Sequence, residues 1–200
     1  MIIFIMSADD VGEFHFEICK KYFPVRYEKA MRFCNENDKK LCVAAGYLIY
    51  KTVGCTEDEI EYKHNGKPYV KNCAKYFNIS HSGKYAVISI AADEIGIDIE
   101  KASEKNLVCS KRVFNENEID WVNKDVDKFS VLWTLKESVM KTLGEGLRLS
   151  AKDIDVLPFL SNKSICLNGI QLYAHTAVYD SYALSLCSVK PFETIEIVRV

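Results

Sequence analysis

The sequence predicts a mixed α/β (α+β) chain of two similar halves, each with a long helix packed on a small antiparallel sheet. Three observations lead there. Several stretches alternate apolar and polar residues at the two-residue period of a strand. Two long helical segments each close on a glycine, Gly54 and Gly144. A set of short matches recurs in the same order, with offsets of 90, 94 and 97 residues. Lys51-Thr52-Val53-Gly54 returns as Lys141-Thr142-Leu143-Gly144, His81 as His175, and Tyr85-Ala86-Val87 as Tyr182-Ala183-Leu184. Repetition in order points to duplication, with the junction near residues 100–105 and halves of 1–102 and 103–200.

Met1 to Met6 is an apolar run ending before Asp9-Asp10, which suits a first strand. Val25 to Cys34 and Asp38 to Val53 read as helices, the second stopped by Gly54. Asn65-Gly66 places a tight turn between Glu61-Tyr62-Lys63 and Pro68-Tyr69-Val70. Strands follow at Tyr76 to Ser80, Tyr85 to Ala91 and Ile95 to Glu100. Asn115 with Glu118 forms a capping-box pattern that opens a helix through Trp121. A longer helix runs from about Lys128 to Leu143, and Tyr173 to Tyr179, Tyr182 to Ser188 and Thr194 to Val200 read as β.

Composition narrows the function classes. A hydrophobic content of 48% in 200 residues is enough for a sizeable core. The net charge of −2 gives no general attraction to nucleic acid or acidic lipid, so a charged ligand must be met by a local cluster. Leu41 to Tyr50, the longest apolar stretch, is too short to span a bilayer. The apolar N-terminus lacks the basic start of a signal peptide, and a cytoplasmic protein is expected. Eight cysteines without C-x-x-C spacing read as small hydrophobes in a reducing compartment, not as zinc ligands or disulfides.

The chemistry gathers in two places. In Ile95 to Glu100, a strand would put Gly96, Asp98 and Glu100 on one face, with the acids roughly 7 Å apart. Two unit charges at that distance repel by roughly 2 kcal/mol at an effective dielectric near 20, a cost that a bound cation turns into ligation. On the second long helix Trp133, Glu137 and Lys141 fall at i, i+4 and i+8 on one face, with Lys136 on the adjoining edge. Taken alone, Glu137 and Lys141 would be an ordinary surface ion pair and Asp98 and Glu100 the polar side of a strand. Asn78-Ile79-Ser80-His81-Ser82-Gly83 presents His81 at a strand end. Gly66-Lys67-Pro68 and the pair Lys29 and Arg32 each have bland explanations as well. Their co-occurrence is what changes the weighing.

In that order, Gly66-Lys67-Pro68, Phe77 to Ser82, Gly96 to Glu100 and Trp133-x-x-Lys136-Glu137-x-x-x-Lys141 resemble the 4′-phosphopantetheinyl transferases of the single-chain, surfactin-synthetase-activating type. The resemblance implies transfer of 4′-phosphopantetheine from coenzyme A to a serine of an acyl or peptidyl carrier protein, with release of adenosine 3′,5′-bisphosphate. It implies a pseudo-twofold fold with the site between the halves, in a monomer that is internally a pseudodimer. Asp98, Glu100 and Glu137 would hold Mg²⁺, with Mn²⁺ as the alternative ion. Glu137 and Lys141 would be catalytic: Lys141 would hold a diphosphate oxygen, and Glu137 would act as ligand, as general base, or as both. Lys29, Arg32, Lys67 and His81 would grip the 3′-phosphate end of coenzyme A, with Ser80 and Lys136 as weaker contacts.

One departure concerns the phosphate clamp. Leu41 stands where the family commonly has an arginine, with Lys39 and Lys40 as point-charge substitutes. The carrier surface is expected on Ala102 to Val113, where Lys105, Lys111 and Arg112 mix with Leu107 and Val108 and suit an acidic, partly apolar helix. No nucleic acid or membrane partner is expected. Two other classes fit parts of the pattern: a non-catalytic carrier- or nucleotide-binding module, and a metal-dependent phosphoester hydrolase.

Overall fold

A computed structural model describes residues 1–144, 150–162 and 164–200. In chain order the first elements are β1 (Ile2–Ser7), α1 (Glu13–Tyr22), α2 (Pro24–Met31), α3 (Glu36–Leu48), β2 (Ile60–Tyr62), β3 (Pro68–Val70), β4 (Tyr76–Ser82) and β5 (Tyr85–Ala91). They are followed by β6 (Ile95–Lys101), α4 (Ser110–Val113), α5 (Glu116–Val122), α6 (Val126–Leu143), α7 (Phe159–Asn162), β7 (Ser164–Leu167), β8 (Ile170–Tyr179), β9 (Tyr182–Ser188) and β10 (Glu196–Arg199). The chain divides into two units, Met1–Ala92 with Ile195–Val200, and Asp93–Thr194.

The first unit carries a four-stranded sheet ordered β10-β1-β5-β4. β1 runs antiparallel to β5 and parallel to β10. α3 lies on this sheet, where Val43, Leu48, Met6, Phe77 and Ile88 form the core with Phe23. Asn35 starts α3 as its N-cap. Its side chain accepts from the backbone N–H groups of Asn37 at 2.8 Å and Asp38 at 3.3 Å. The helix ends in a single π turn, Ile49–Val53, and Gly54 takes a left-handed φ of 78°, as its position predicted. Glu57 sits on the N-terminus of α2, accepting from the N–H groups of Val25 at 2.6 Å and Arg26 at 3.0 Å. A carboxylate there meets the positive end of the helix. β2 and β3 form a separate ribbon joined through Gly66 at a left-handed φ of 83°.

The second unit is an antiparallel sheet ordered β6-β9-β8-β7, with α6 lying across β6 and β9. Leu132, Leu135 and Val139 of α6 pack with Phe114, Ile154 and Val156 in its core. α6 starts at Val126, two residues before the expected Lys128, and Asp125 caps it, accepting from Asp127 and Lys128 N–H, the usual service of an N-cap carboxylate. Gly96 decides how closely α6 meets β6: a Cβ there would collide with the Ser138 carbonyl oxygen and lie 2.5 Å from the Thr142 nitrogen. Small hydroxyl side chains complete the seam. Thr142 donates to the Cys187 carbonyl at 3.0 Å, and Thr134 and Ser185 share a 2.8 Å hydrogen bond.

Two expectations change. The division falls at 92/93 and not at 102/103, because β6 pairs with β9 along its whole length while β10 returns to β1. The repeat is also more than helix then sheet. β1-β5-β4 in the first unit has the pairing pattern of β6-β9-β8 in the second, so each begins with a strand. Tyr85 and Tyr182 do correspond, each following a two-residue turn. His81 and His175 do not, because His81 lies four residues before Tyr85 and His175 seven before Tyr182. The cysteines are all free. Cys19, Cys42, Cys55 and Cys187 are buried as expected, whereas Cys34, Cys73 and Cys166 are exposed.

Candidate active site

β6 and α6 run antiparallel, so their polar faces can be read off together. Gly96 lies against Ser138 and Thr142, Asp98 meets Lys141, and Glu100 reaches the Trp133 end of the helix. Lys141 Nζ is 2.6 Å from Asp98 Oδ1 and donates to the Ile97 carbonyl at 3.1 Å. Asp98 is only 4% exposed, whereas Lys141 keeps part of its side chain in solvent, so the pair joins a desolvated carboxylate to a partly exposed lysine. Glu137 is half-buried one helical turn away. Burial first, and then the negative charge of Asp98, raise the pKa of its carboxyl, while Lys141 pulls it down. Both raising causes act by disfavouring the charged form. Glu100 lines a neighbouring cavity of about 240 Å³ with Asn106, Cys109, Val113, Phe129 and Trp133.

These side chains have the right chemistry for a hard cation. Asp98 and Glu137 are close enough to feel each other's charge. Such carboxylate oxygens suit Mg²⁺, which takes a few carboxylates and keeps waters or substrate phosphate for its other positions. Among the described residues, no group of three or more His, Cys, Asp or Glu side chains is placed to hold a metal ion. Asp98 and Glu137 are the pair brought together, with Glu100 beside them on the same strand face.

In the first unit a second polar cluster forms. Arg26, Lys29, Phe33, Asp38, Cys42 and His81 line a cavity of about 260 Å³. Lys29 and His81, both expected at the 3′-phosphate, meet here. Arg32 is not part of this cavity: it caps the C-terminal end of α2 and is exposed, and the cavity takes its arginine from Arg26 instead. Arg26 is absent from the residues that sequence reasoning selects, although α2 begins at Pro24 and carries it three residues before Lys29. That i,i+3 spacing is a usable signal for a shared helix face. Leu41 is buried in the core, and Lys39 pairs with Glu36 at 2.6 Å. Lys67 and Ser80 are both buried in this unit and do not line that cavity.

Lys136 is the clearest correction. The motif places it on coenzyme A, but it is 0% exposed. Its ammonium is 2.7 Å from Glu118 Oε2 and donates to the carbonyls of Ala151 and Ile154. Those three partners account for the three protons of a lysine ammonium.

The family model for the 4′-phosphopantetheinyl transferase superfamily matches residues 94–187. The 4′-phosphopantetheinyl transferase Sfp of Bacillus subtilis (strain 168) is 32% identical over 184 residues, covering 84% of this chain and 82% of its own length. The chain belongs to the 4′-phosphopantetheinyl transferase superfamily. The 4′-phosphopantetheinyl transferase gsp of Aneurinibacillus migulanus is 30% identical over 158 residues, 73% of this chain and 66% of that protein. The L-aminoadipate-semialdehyde dehydrogenase-phosphopantetheinyl transferase of Xenopus laevis is also 30% identical over 158 residues, 66% of this chain and 52% of its own. In this phosphopantetheinyl transferase the family-matched segment lies wholly inside the second unit, together with Asp98, Glu100, Glu137 and Lys141. It is a transferase, and no described helix is long and apolar enough to cross a membrane.

Proposed function

We infer that this enzyme moves 4′-phosphopantetheine from coenzyme A to a serine hydroxyl of an acyl or peptidyl carrier protein and releases adenosine 3′,5′-bisphosphate, in the cytoplasm. The observation that carries the reading is the Lys141, Asp98 and Glu137 cluster, a buried and a half-buried acid with one lysine set on the family-matched segment. Asp98 and Glu137, with Glu100 beside them, would hold Mg²⁺. The ion would supply charge neutralisation for the diphosphate of coenzyme A.

The serine oxygen attacks the phosphorus that bears the pantetheine arm, and the bond from that phosphorus to the adenosine bisphosphate oxygen breaks. Glu137 is set to take the serine proton as the new bond forms, directly or through water. Lys141 holds a diphosphate oxygen, for which it must share or exchange its bond to Asp98. Arg26, Lys29 and His81 line, with Asp38, a cavity that offers the 3′-phosphate two cations and an imidazole, Arg26 supplying the planar fork that a lysine lacks. The 3′-phosphate takes no part in the bond changes, and contacts to such a remote group can still serve the chemical step.

The carrier would dock on 102–113. That segment is a 3-10 turn, Glu104–Cys109, running into α4, with Lys105, Lys111 and Arg112 exposed and Val108 82% exposed. Exposed positive and apolar groups together suit an acidic, partly apolar helix. The test is incubation of apo carrier proteins with the enzyme, coenzyme A and MgCl₂, followed by intact-protein mass spectrometry. The carrier is expected to gain one phosphopantetheine. Release of adenosine bisphosphate without a carrier would point to a hydrolase instead, and coenzyme binding with no turnover on any carrier to a binding module.

A further inference from the structure

A fully satisfied charged pair lies outside the acid cluster. Lys136 and Glu118 are both 0% exposed and 2.7 Å apart. Glu118 Oε2 also accepts from the N–H of Asn115, closing the capping box of α5, and Glu118 Oε1 accepts from the N–H of Val156 at 3.1 Å. Lys136 reaches the Ala151 carbonyl at 2.7 Å and the Ile154 carbonyl, and its ammonium stands 5.7 Å from the centre of the Phe114 ring. One side-chain pair therefore ties α6, α5 and the 151–156 segment together. Burial pushes the pKa of Lys136 down and the Glu118 carboxylate opposes it. A buried pair of this kind is costly to assemble and is poor evidence for stability by itself.

Its direction on the helix is informative. Thr134, Ser138 and Thr142 form the stripe of α6 that meets the sheet. With 3.6 residues per turn, Lys136 leaves the helix on nearly the opposite side from that stripe. Glu137 and Lys141 lie between these two attachments. A helix held on nearly opposite sides cannot turn about its axis. A turn of about 20° would carry a side chain at the helix surface by about 2 Å. Misplacement of about 1 Å can cost about a hundredfold in rate.

We propose that Lys136 and Glu118 are a buried positioning pair that fixes the rotation of α6, and with it the facing of Glu137 and Lys141 toward β6. The proposal rests on the reading of that face as the reacting one. Lys136 itself does not touch coenzyme A.

The test compares the native enzyme with Lys136→Met, Glu118→Gln and the double variant. Three quantities are measured: kcat and KM on an apo carrier with MgCl₂, coenzyme A affinity by calorimetry, and thermal midpoint. For Lys136→Met, kcat is expected to fall roughly tenfold or more, with KM and affinity for coenzyme A within about twofold. Glu118→Gln keeps acceptor oxygen for the α5 cap and should fold; it is expected to lower kcat several-fold at unchanged coenzyme affinity. The double variant removes the uncompensated charge and is expected to exceed Lys136→Met in both midpoint and kcat. A tenfold loss of coenzyme affinity in Lys136→Met at unchanged kcat would overturn the proposal, as would strictly additive effects in the double variant. If the native chain binds coenzyme A yet modifies no carrier, the functional reading fails on its own, and the affinities and midpoints still decide the pair.

Discussion

β1, β5 and β4 of the first unit and β6, β9 and β8 of the second share one strand order and one set of pairings, yet they carry opposite chemistry. Matching the strands at Ser7 opposite Tyr85 and Lys101 opposite Tyr182 puts Phe4 and Met6 where the second unit has Asp98 and Glu100. The first unit fills those places with apolar side chains, and its own polar cluster lies elsewhere, where Arg26, Lys29, Asp38 and His81 line one cavity. The acids of β6 are therefore not demanded by the strand arrangement. They are carried at a cost in desolvation and repulsion, which is the pattern of groups kept for chemistry. The helices differ too: α3 ends in a π turn and α6 does not, and Lys51, the sequence counterpart of Lys141, is exposed.

The sharpest way to break this contrast is Glu137→Gln. It is expected to lower carrier modification by about 10²- to 10⁴-fold while the fold survives, measured by initial rate in the mass assay. Full activity would remove Glu137 from the mechanism.

Next come the two lysines. Lys141→Met leaves Asp98 buried without its cation and is expected to cost about 2–4 kcal/mol in chemical denaturation. Lys51→Met, at an exposed site, should stay within about 0.5 kcal/mol. Equal costs would mean that the acid cluster is not the strained part of the repeat.

The first unit is tested by its arginines. Arg26→Ala is expected to raise KM for coenzyme A by roughly tenfold to a hundredfold, as for loss of a charged hydrogen bond, and Arg32→Ala by little. The reverse result would restore the grouping that the sequence suggests.

The smallest effect is on pH. The folded-state pKa of Glu137 is raised, so between the ordinary carboxylate value and the raised one the folded chain holds a proton that the unfolded chain has lost. Stability should therefore fall as pH rises through that window and recover as pH drops. Thermal midpoints in chelator should show this slope in the native chain and lack it in Glu137→Gln.

Much of this is legible in the sequence, for local reasons. An apolar run finds β1, strand patterning finds β4, β5, β6, β8 and β9, and Asn115 with Glu118 marks the start of α5, because these patterns need only neighbours. α1 escapes such a reading because its inward stripe is short and mixed, Cys19 alone being fully buried between the partly buried Phe16 and Tyr22. The acid cluster is legible because its residue types are improbable together. Lys136 misleads for the same reason: it shares a motif with Glu137, and its partners at 118, 151 and 154 lie 15 to 18 residues away on other elements. The unit boundary needs the pairing of β6 with β9, a contact between residues more than eighty apart that no local pattern announces.

β10 has a consequence for how the molecule is made. It completes the sheet of the first unit from a point in the chain beyond the second, so a ribosome must emit residues 93–194 before β1 gains its parallel neighbour. Until then β1 is a bare apolar edge, open to pairing with any other nascent strand. A fragment cut at residue 92 would keep that edge permanently, and would be expected to associate with copies of itself where the whole chain stays dispersed.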